Sequence, residues 1–261
     1  MPDATPPPSF LGHTPRAEGG FLWRSMVNGP VESRRLGVSL GLNLLPAGSK
    51  VCSFDCPYCE CGPTGVRAAG TRWPSPDEVA QGLRRALARY TPAWITLSGN
   101  GEPTLHPRFG VVVDRVLAAR DALAPATRVA VLSNGLAAGA PPVRDALRRV
   151  DARILKLDPG PRALVNGVTF DVEPVLAAYR ELAPFTLQAM VARSPEWDGG
   201  SGESVRAWVP LVVRAGPARV QLYSLARPPA DARVQAVPRK RLEEIAAELR
   251  DALPGSAVEV F

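Results

Sequence analysis

The sequence predicts a mixed α/β domain of parallel strands joined by helical crossovers, on three observations. From Leu36 onward, short apolar runs rich in β-branched residues alternate with amphipathic stretches of helical period. No composition break or internal repeat interrupts that alternation, so residues 31–261 read as one domain. The 261 residues suffice for an α/β barrel or an open α/β sheet in a single unit. Strands that alternate with helices pair in parallel through right-handed crossovers.

Residues 1–30 carry Pro2, Pro6, Pro7, Pro8, Pro15 and Pro30 with Gly12, Gly19 and Gly20. Such a stretch buries little apolar surface against its ordering entropy, so it reads as a flexible segment that Phe21, Leu22 and Trp23 pin to the domain. Val38 to Leu45 is the first strand, stopped by Pro46, Ala47 and Gly48. Ser75-Pro76-Asp77-Glu78 starts a helix, with Ser75 as cap, Pro76 in the first turn and Glu78 closing a capping box. Val79, Leu83 and Leu87 then share one face. Trp94 to Leu97 is the second strand, and Pro107 opens a helix through Arg120. Arg128 to Leu132 is the third strand, and a helix from Pro142 to Arg148 leads to the fourth, Ala152 to Leu157. Asp171 begins another helix before the fifth strand, Phe185 to Val191. Residues 203–214 are helical despite Pro210, Ala218 to Tyr223 is the sixth strand, and Pro238 to Leu249 is the last helix. Val258 to Phe261 adds an edge strand.

Hydrophobic residues at 46% and charged residues at 21% exclude a disordered or fibrous chain. No run of 18 apolar residues occurs, and the start MPDATPPPSF lacks the basic end and apolar stretch of a signal peptide. A cytoplasmic protein with no membrane partner is expected. The formal charge of +6 suits a polyanionic partner without demanding one, because the excess is scattered arginine. Lysines number three: Lys50, Lys156 and Lys240.

The four cysteines, Cys52, Cys56, Cys59 and Cys61, fall within ten residues. A disulfide framework clips distant parts of small secreted chains, so a local metal or iron–sulfur site is the better reading. Three thiolates on one loop can hold three irons of a [4Fe–4S] cluster, leaving the fourth iron open. The alternative is a structural zinc site in a non-catalytic protein. Zinc knuckles more often use paired CxxC elements, and a ligand two residues after Cys59 makes a cramped tetrahedron.

The spacing CxxxCxxC over Cys52, Cys56 and Cys59, with Tyr58 immediately before the last cysteine, resembles the signature of the radical S-adenosylmethionine (SAM) superfamily. The resemblance implies a partial (β/α)6 barrel in a single domain, and the count of strands agrees. It implies that Cys52, Cys56 and Cys59 ligate the cluster, that SAM chelates the open iron, and that Tyr58 packs near the adenine. It also implies reductive cleavage of SAM to a 5′-deoxyadenosyl radical that abstracts hydrogen from substrate. The electron comes from a one-electron donor such as flavodoxin or ferredoxin. Cys61 departs from the generic signature, and is silent, a shield for the cluster, or a group that reacts with substrate.

Ser98-Gly99-Asn100-Gly101-Glu102, after the second strand, resembles the superfamily's glycine–glycine–glutamate motif, which implies that these residues hold SAM and that Glu102 takes its ammonium. Ser133 and Asn134, ending the third strand, match positions that hold the ribose or carboxylate, or simply cap a turn at Gly135. Lys156 and Asp158 end the fourth strand. A lysine there needs a counter-charge or an aqueous cavity, so Lys156 contacts a carboxylate or substrate, or forms an internal ion pair. Gln188 on the fifth strand reaches the cavity or a core neighbour. In parallel barrels the loops after the strands share one face, and Phe21 to Arg35 and the 195–204 loop are candidates to cover it.

Gly29 to Gly37, Ser39-Leu40-Gly41, Cys52 to Gly62, Leu155 to Asp158 and Val220 to Pro229 resemble an uncharacterised branch related to the wyosine-forming tRNA enzymes. That points to a tRNA base or nucleoside as substrate, with Arg34, Arg35 and Arg227 as contacts to phosphate or to a carboxylate, and Arg34 preferred. The wyosine enzymes depend on a second cluster that this chain has no cysteines to build, so a small metabolite or peptide is the alternative substrate.

Overall fold

The computed structural model describes residues 13–16, 20–65 and 71–261. In chain order its elements begin β1 (His13–Pro15), β2 (Phe21–Trp23), β3 (Val27–Ser33), β4 (Gly37–Asn43), α1 (Pro76–Leu87), β5 (Trp94–Ser98), α2 (Phe109–Leu123), β6 (Arg128–Ser133), α3 (Pro141–Arg149) and β7 (Ala152–Lys156). There follow α4 (Arg162–Val165), α5 (Val172–Glu181), β8 (Thr186–Met190), β9 (Ala192–Ser194), β10 (Trp197–Asp198), α6 (Gly202–Ala215), β11 (Arg219–Tyr223), β12 (Gln235–Ala236), α7 (Arg239–Ala252) and β13 (Ala257–Val260).

The main sheet has eight strands in the order β13-β11-β8-β7-β6-β5-β4-β3. All neighbours from β4 to β13 run parallel, and β3 returns antiparallel against β4. The six parallel strands and the edge strand expected from the sequence are therefore present, in one domain. Leu40, Leu42, Ile95, Leu97, Val129, Val131, Leu155, Leu187, Val220 and Leu222 form one buried core with Val79, Leu83, Val112, Leu147, Leu176, Trp208, Ile245 and Leu249 of the helices. The alternate strand positions carry Thr96, Lys156, Gln188, Gln221 and Tyr223 among Ala130, Ile154 and Met190, so one face of the sheet is a packed apolar layer and the other holds the polar groups.

The sheet curls. A flat sheet would hold β4 and β11, five spacings apart, about 24 Å from each other. Arg35, in the turn that enters β4, instead stacks its guanidinium 4.4 Å from the ring centroid of Tyr223 at the end of β11.

The capping box at α1 is as expected: Glu78 N donates to Ser75 Oγ at 3.2 Å, and Ser75 N donates to Glu78 Oε2 at 2.8 Å. Three readings need correction. The boundary placed at residue 30 falls inside β3, because residues 27–33 find backbone partners on β4 despite their glycine and proline. The helix expected from Pro107 starts at Phe109, after a 3-10 turn at Pro103–Leu105 whose N-cap is Glu102. The sequence reading also missed a small three-stranded sheet of β10, β9 and β12. Residues 1–12 and 17–19 of the expected flexible segment lie outside the described residues.

Candidate active site

The cysteine loop leaves β4 and is fastened to the ends of the following strands. Val51 forms a parallel bridge to Gly101; Val51 N donates to Asn100 O at 2.8 Å and Glu102 N to Val51 O at 2.9 Å. Only glycine permits this approach: a Cβ on Gly101 would lie 2.0 Å from Val51 O, and one on Gly99 would lie 2.1 Å from Asn43 Oδ1. Both residues have positive φ, +127° and +117°. From the other side, Asp55 N donates to Asn166 O at 2.8 Å, and Phe21 N to Glu60 O at 2.8 Å.

Lys50 is buried beneath the loop, donating to Gly62 O at 2.7 Å and paired with Asp55 Oδ1 at 3.1 Å. Burial alone would lower its pKa, but Cys59 and Asp55 outweigh that and raise it. Burial also pulls the Asp55 carboxyl up, yet the Thr64 N–H at 2.6 Å and the Lys50 ammonium hold it below the usual carboxylate value. Burial, then the neighbouring Glu102, push Cys52 up to about 12. Burial, then Asp158, push Cys56 up to about 11. Cys59 is drawn down to about 6, first by a hydrogen bond from the Cys61 thiol and, against burial, by Lys50.

Cys52, Cys56 and Cys59 are half-buried and Cys61 is buried, and none of the four forms a disulfide. Three N–H groups face the first two sulfurs: Phe54 N at 3.3 Å and Asn134 Nδ2 at 3.8 Å from Cys52 Sγ, and Asn166 Nδ2 at 3.7 Å from Cys56 Sγ. This donor set fits an iron–sulfur cluster, whose thiolate ligands are anionic and accept such bonds. Among the described residues no three His, Cys, Asp or Glu side chains converge as ligands of a single ion. A cubane instead takes its three thiolates at separate corners. Cys61 Sγ is directed at Gly99 O, 3.7 Å away, and at Cys59. Its thiol is occupied by the loop, which suits the silent or shielding alternatives for Cys61 and not a reaction with substrate.

The residues expected to hold SAM are brought together, but several are committed to the protein. Glu102 is 2% exposed. Its Oε1 accepts from Thr104 N at 3.0 Å, Thr104 Oγ1 at 2.6 Å and Ser133 Oγ at 2.8 Å, and its Oε2 from Asn134 N at 2.6 Å. The carboxylate braces the ends of β5 and β6, so its side chain does not stand free for an ammonium. Asn100 donates to Trp23 O and Pro46 O, both at 3.0 Å, and accepts from Trp23 N at 2.8 Å. It clamps the N-terminal strand rather than facing a ligand. Ser98 is half-buried where β5 ends. Asn134 turns its amide to Ser53 Oγ at 2.9 Å and to Cys52.

Asp158 accepts from Tyr58 OH, from Asn166 Nδ2 at 3.0 Å and from Met190 N at 2.8 Å, and pairs with Lys156 Nζ at 3.2 Å. Tyr58 is buried with Val165, Met190, Trp197 and Val234. Lys156 is thus the internal ion pair that the sequence allowed. Its Nζ also donates to Tyr223 OH at 3.1 Å and lies 5.1 Å from the Tyr58 ring centroid. Gln188 Nε2 donates to Gln221 Oε1 at 3.2 Å on the adjacent strand. Arg34 is exposed; Arg35 is the arginine that reaches this wall. Arg227 pairs with Glu60 at 2.8 Å. Sequence reasoning assigned no site role to Lys50, Asp55, Asn166 and Gln221. The signal for Lys50 and Asp55 was a charged pair, one just before the first cysteine and one between Cys52 and Cys56; nothing local marks Asn166.

Residues 48–159 match the model of the Radical SAM superfamily. That match spans 112 of the 261 residues, and members of that superfamily bind a [4Fe–4S] cluster and SAM. Among relatives, a UPF0026 protein of Helicobacter pylori is 31% identical over 135 residues, 51% of this chain and 42% of that protein. A UPF0026 protein of Synechocystis sp. is 36% identical over 139 residues, 51% of this chain and 48% of that protein. The GTPase Obg of Brachyspira hyodysenteriae is 32% identical over 136 residues, 51% of this chain and 19% of that protein. The matches thus cover less than half the length of these relatives. Among solved structures, Streptococcus suis SuiB bound to S-adenosylmethionine aligns over 85% of this chain and 50% of its own, with TM-score 0.60 and 13% identity. Native anSMEcpe with bound AdoMet aligns over 84% and 63%, with TM-score 0.56 and 17% identity. The fold is the partial barrel of these neighbours. Among the described residues no helix is long and apolar enough to cross a membrane.

Proposed function

We propose that this protein is a radical SAM enzyme in which Cys52, Cys56 and Cys59 hold a [4Fe–4S] cluster whose open iron takes SAM. The observation that carries the reading is three thiols on one loop, fastened at the ends of parallel strands, with N–H donors aimed at the sulfurs of Cys52 and Cys56. When bound, cluster and SAM supply one-electron cleavage of a carbon–sulfur bond and a carbon radical that takes hydrogen from substrate. Glu102 fixes the ends of β5 and β6 against each other. Lys50 neutralises negative charge beneath the loop, and the apolar packing of Tyr58 and Trp197 keeps water from its flank. A small one-electron donor such as flavodoxin or ferredoxin delivers the electron.

Arg35, Lys156 and Tyr223 give the inner wall a cationic, aromatic corner suited to a substrate with a phosphate or carboxylate. A tRNA base or nucleoside fits this corner, and the resemblance of Gly29 to Gly41, Cys52 to Gly62, Leu155 to Asp158 and Val220 to Pro229 to a branch related to the wyosine-forming enzymes speaks for it. A small metabolite or peptide is the second reading. It is favoured by the fold neighbour SuiB, solved bound to the precursor peptide SuiA.

Anaerobic reconstitution with iron and sulfide tests the proposal. About four irons per chain are expected, together with deoxyadenosine formed from SAM under a reductant. Iron-free, zinc-filled protein after reconstitution overturns it.

A further inference from the structure

We infer that the side-chain amides of Asn134 and Asn166 are tuning donors to the cluster ligands, one on Cys52 and one on Cys56, and that together they raise the potential at which the cluster accepts its electron. The inference rests on the cluster reading above and adds to it two residues outside the ligand loop.

The orientation of both amides is fixed by their other partners. Asn134 Oδ1 accepts from Leu136 N at 3.0 Å, and a backbone N–H can only donate. The opposite end, facing Ser53 Oγ at 2.9 Å and Cys52 Sγ at 3.8 Å, must therefore be the NH2. For Asn166 the group at 3.0 Å from Asp158 Oδ2 must be a donor, since the ion-paired carboxylate accepts only, and the same nitrogen lies 3.7 Å from Cys56 Sγ. Both residues are buried, at 8% and 4% exposure, so their amides are held against the loop and not spent on solvent.

Each residue is held by a buried carboxylate, Asn134 through its backbone N–H and Asn166 through its side-chain amide. Glu102 Oε2 takes the Asn134 backbone N–H at 2.6 Å, and Asp158 takes the Asn166 amide. The two arrive from different elements, the end of β6 and the segment that caps α4, and so grip the loop from two sides. A neutral N–H donor stabilises whichever cluster state carries more negative charge on sulfur, which is the reduced one. Removing such a donor therefore shifts the midpoint potential to more negative values. A residue that merely supported the loop would change cluster content and leave the potential of intact cluster where it was.

The experiment is a redox titration of reconstituted full-length protein, followed by electron paramagnetic resonance, with iron and sulfide counted in every sample. Wild type is compared with Asn134→Leu, Asn166→Leu and the near-isosteric Asn134→Asp and Asn166→Asp. Each leucine variant is expected to keep its iron and to show a several-fold lower ratio of reduced to oxidised cluster at a fixed poise. A tenfold fall corresponds to about 59 mV for one electron. The aspartate variants, which add negative charge, should fall at least as far. A full cluster with unmoved potential in all four variants overturns this inference alone. Wild type that takes up no iron overturns the cluster reading and this inference together. Should the variants lose their cluster, wild type carrying nitrogen-15 only at asparagine side-chain amides decides the matter. Pulsed resonance of its reduced cluster should show nitrogen-15 coupling, and absence of coupling overturns the inference.

Discussion

Glu102 shows how a residue placed by motif can serve the frame rather than the ligand. Burial pushes its carboxyl up, while donors from Thr104, Asn134 and Ser133 pull the other way. In Glu102→Gln, one acceptor becomes an NH2 that faces a donor in either orientation. A loss of about 1–3 kcal/mol is expected for the unsatisfied group, read as a lower urea midpoint at unchanged slope. A wild-type midpoint would show that the brace carries no energy. At the cysteines, alanine at 52, 56 or 59 should abolish iron uptake while Cys61→Ala retains it, because Cys61 already spends its thiol on Gly99 O and Cys59. Loss of iron in the Cys61 variant alone would reassign the ligands. The Lys50–Asp55 pair sets a pH window. The lowered Asp55 pKa contributes stability above its unfolded value of about 3.9, lost as pH falls through the folded pKa. The raised Lys50 pKa contributes stability below about 10.4, lost as pH rises through the folded value. The stability difference between wild type and Asp55→Asn in the cluster-free protein should therefore be flat from about pH 5 to 9 and shrink below about pH 4. A difference that persists unchanged into acid would mean Asp55 acts by shape and not by charge.

At the scale of elements, the stretch from Ser98 to Glu102 is a fastening before it is a pocket. Its glycines let β5 lie backbone to backbone against Val51, and Asn100 ties that junction to Trp23 of β2 and to Pro46. Asn100→Ala removes three hydrogen bonds at once. It should speed amide exchange at residues 21–23 while leaving the α5 and α6 amides as protected as before, and unchanged exchange at β2 would refute the clamp. The strands of the main sheet from β4 onward and the long helices were legible because they carry their own period, caps or apolar runs: Ser75 and Glu78 at α1, Asp171 at α5, Val129 to Leu132 in β6, whereas the short α4, β9, β10 and β12 carry none. β3 was not legible, since Gly29 and Pro30 speak locally for a loop and only the edge of β4 makes the strand. The same holds for the committed partners of Tyr58 and Asp158, which lie 100 residues apart and announce themselves nowhere in the local sequence.

At the scale of the whole molecule, the curl of the sheet decides which arginine matters. Arg34 and Arg35 are adjacent and equally charged, and the preference for Arg34 taken from the sequence falls to Arg35 in the fold. The path of the turn into β4 leaves Arg34 exposed and carries Arg35 across to Tyr223, whose hydroxyl meets Lys156. Lys156 is already matched by Asp158, whereas Arg35 has no carboxylate partner among the described residues, so an anionic group of substrate would find its charge available. Arg35→Ala should therefore lower substrate affinity or turnover with iron content intact, and Arg34→Ala should match wild type. The salt response then tells the substrate classes apart. If the group is an RNA phosphate, wild-type tRNA binding should weaken with salt, and Arg35→Ala should reduce the log–log slope by up to about 0.7–0.9 for the single phosphate no longer neutralised. If it is a small carboxylate, tRNA is not retained at any salt, and the variant loses only turnover. Measuring tRNA retention and deoxyadenosine formation for both variants at two salt concentrations separates these outcomes. An Arg35→Ala protein that matches wild type in both assays would leave Arg35 as a strut that holds the curled sheet closed against Tyr223.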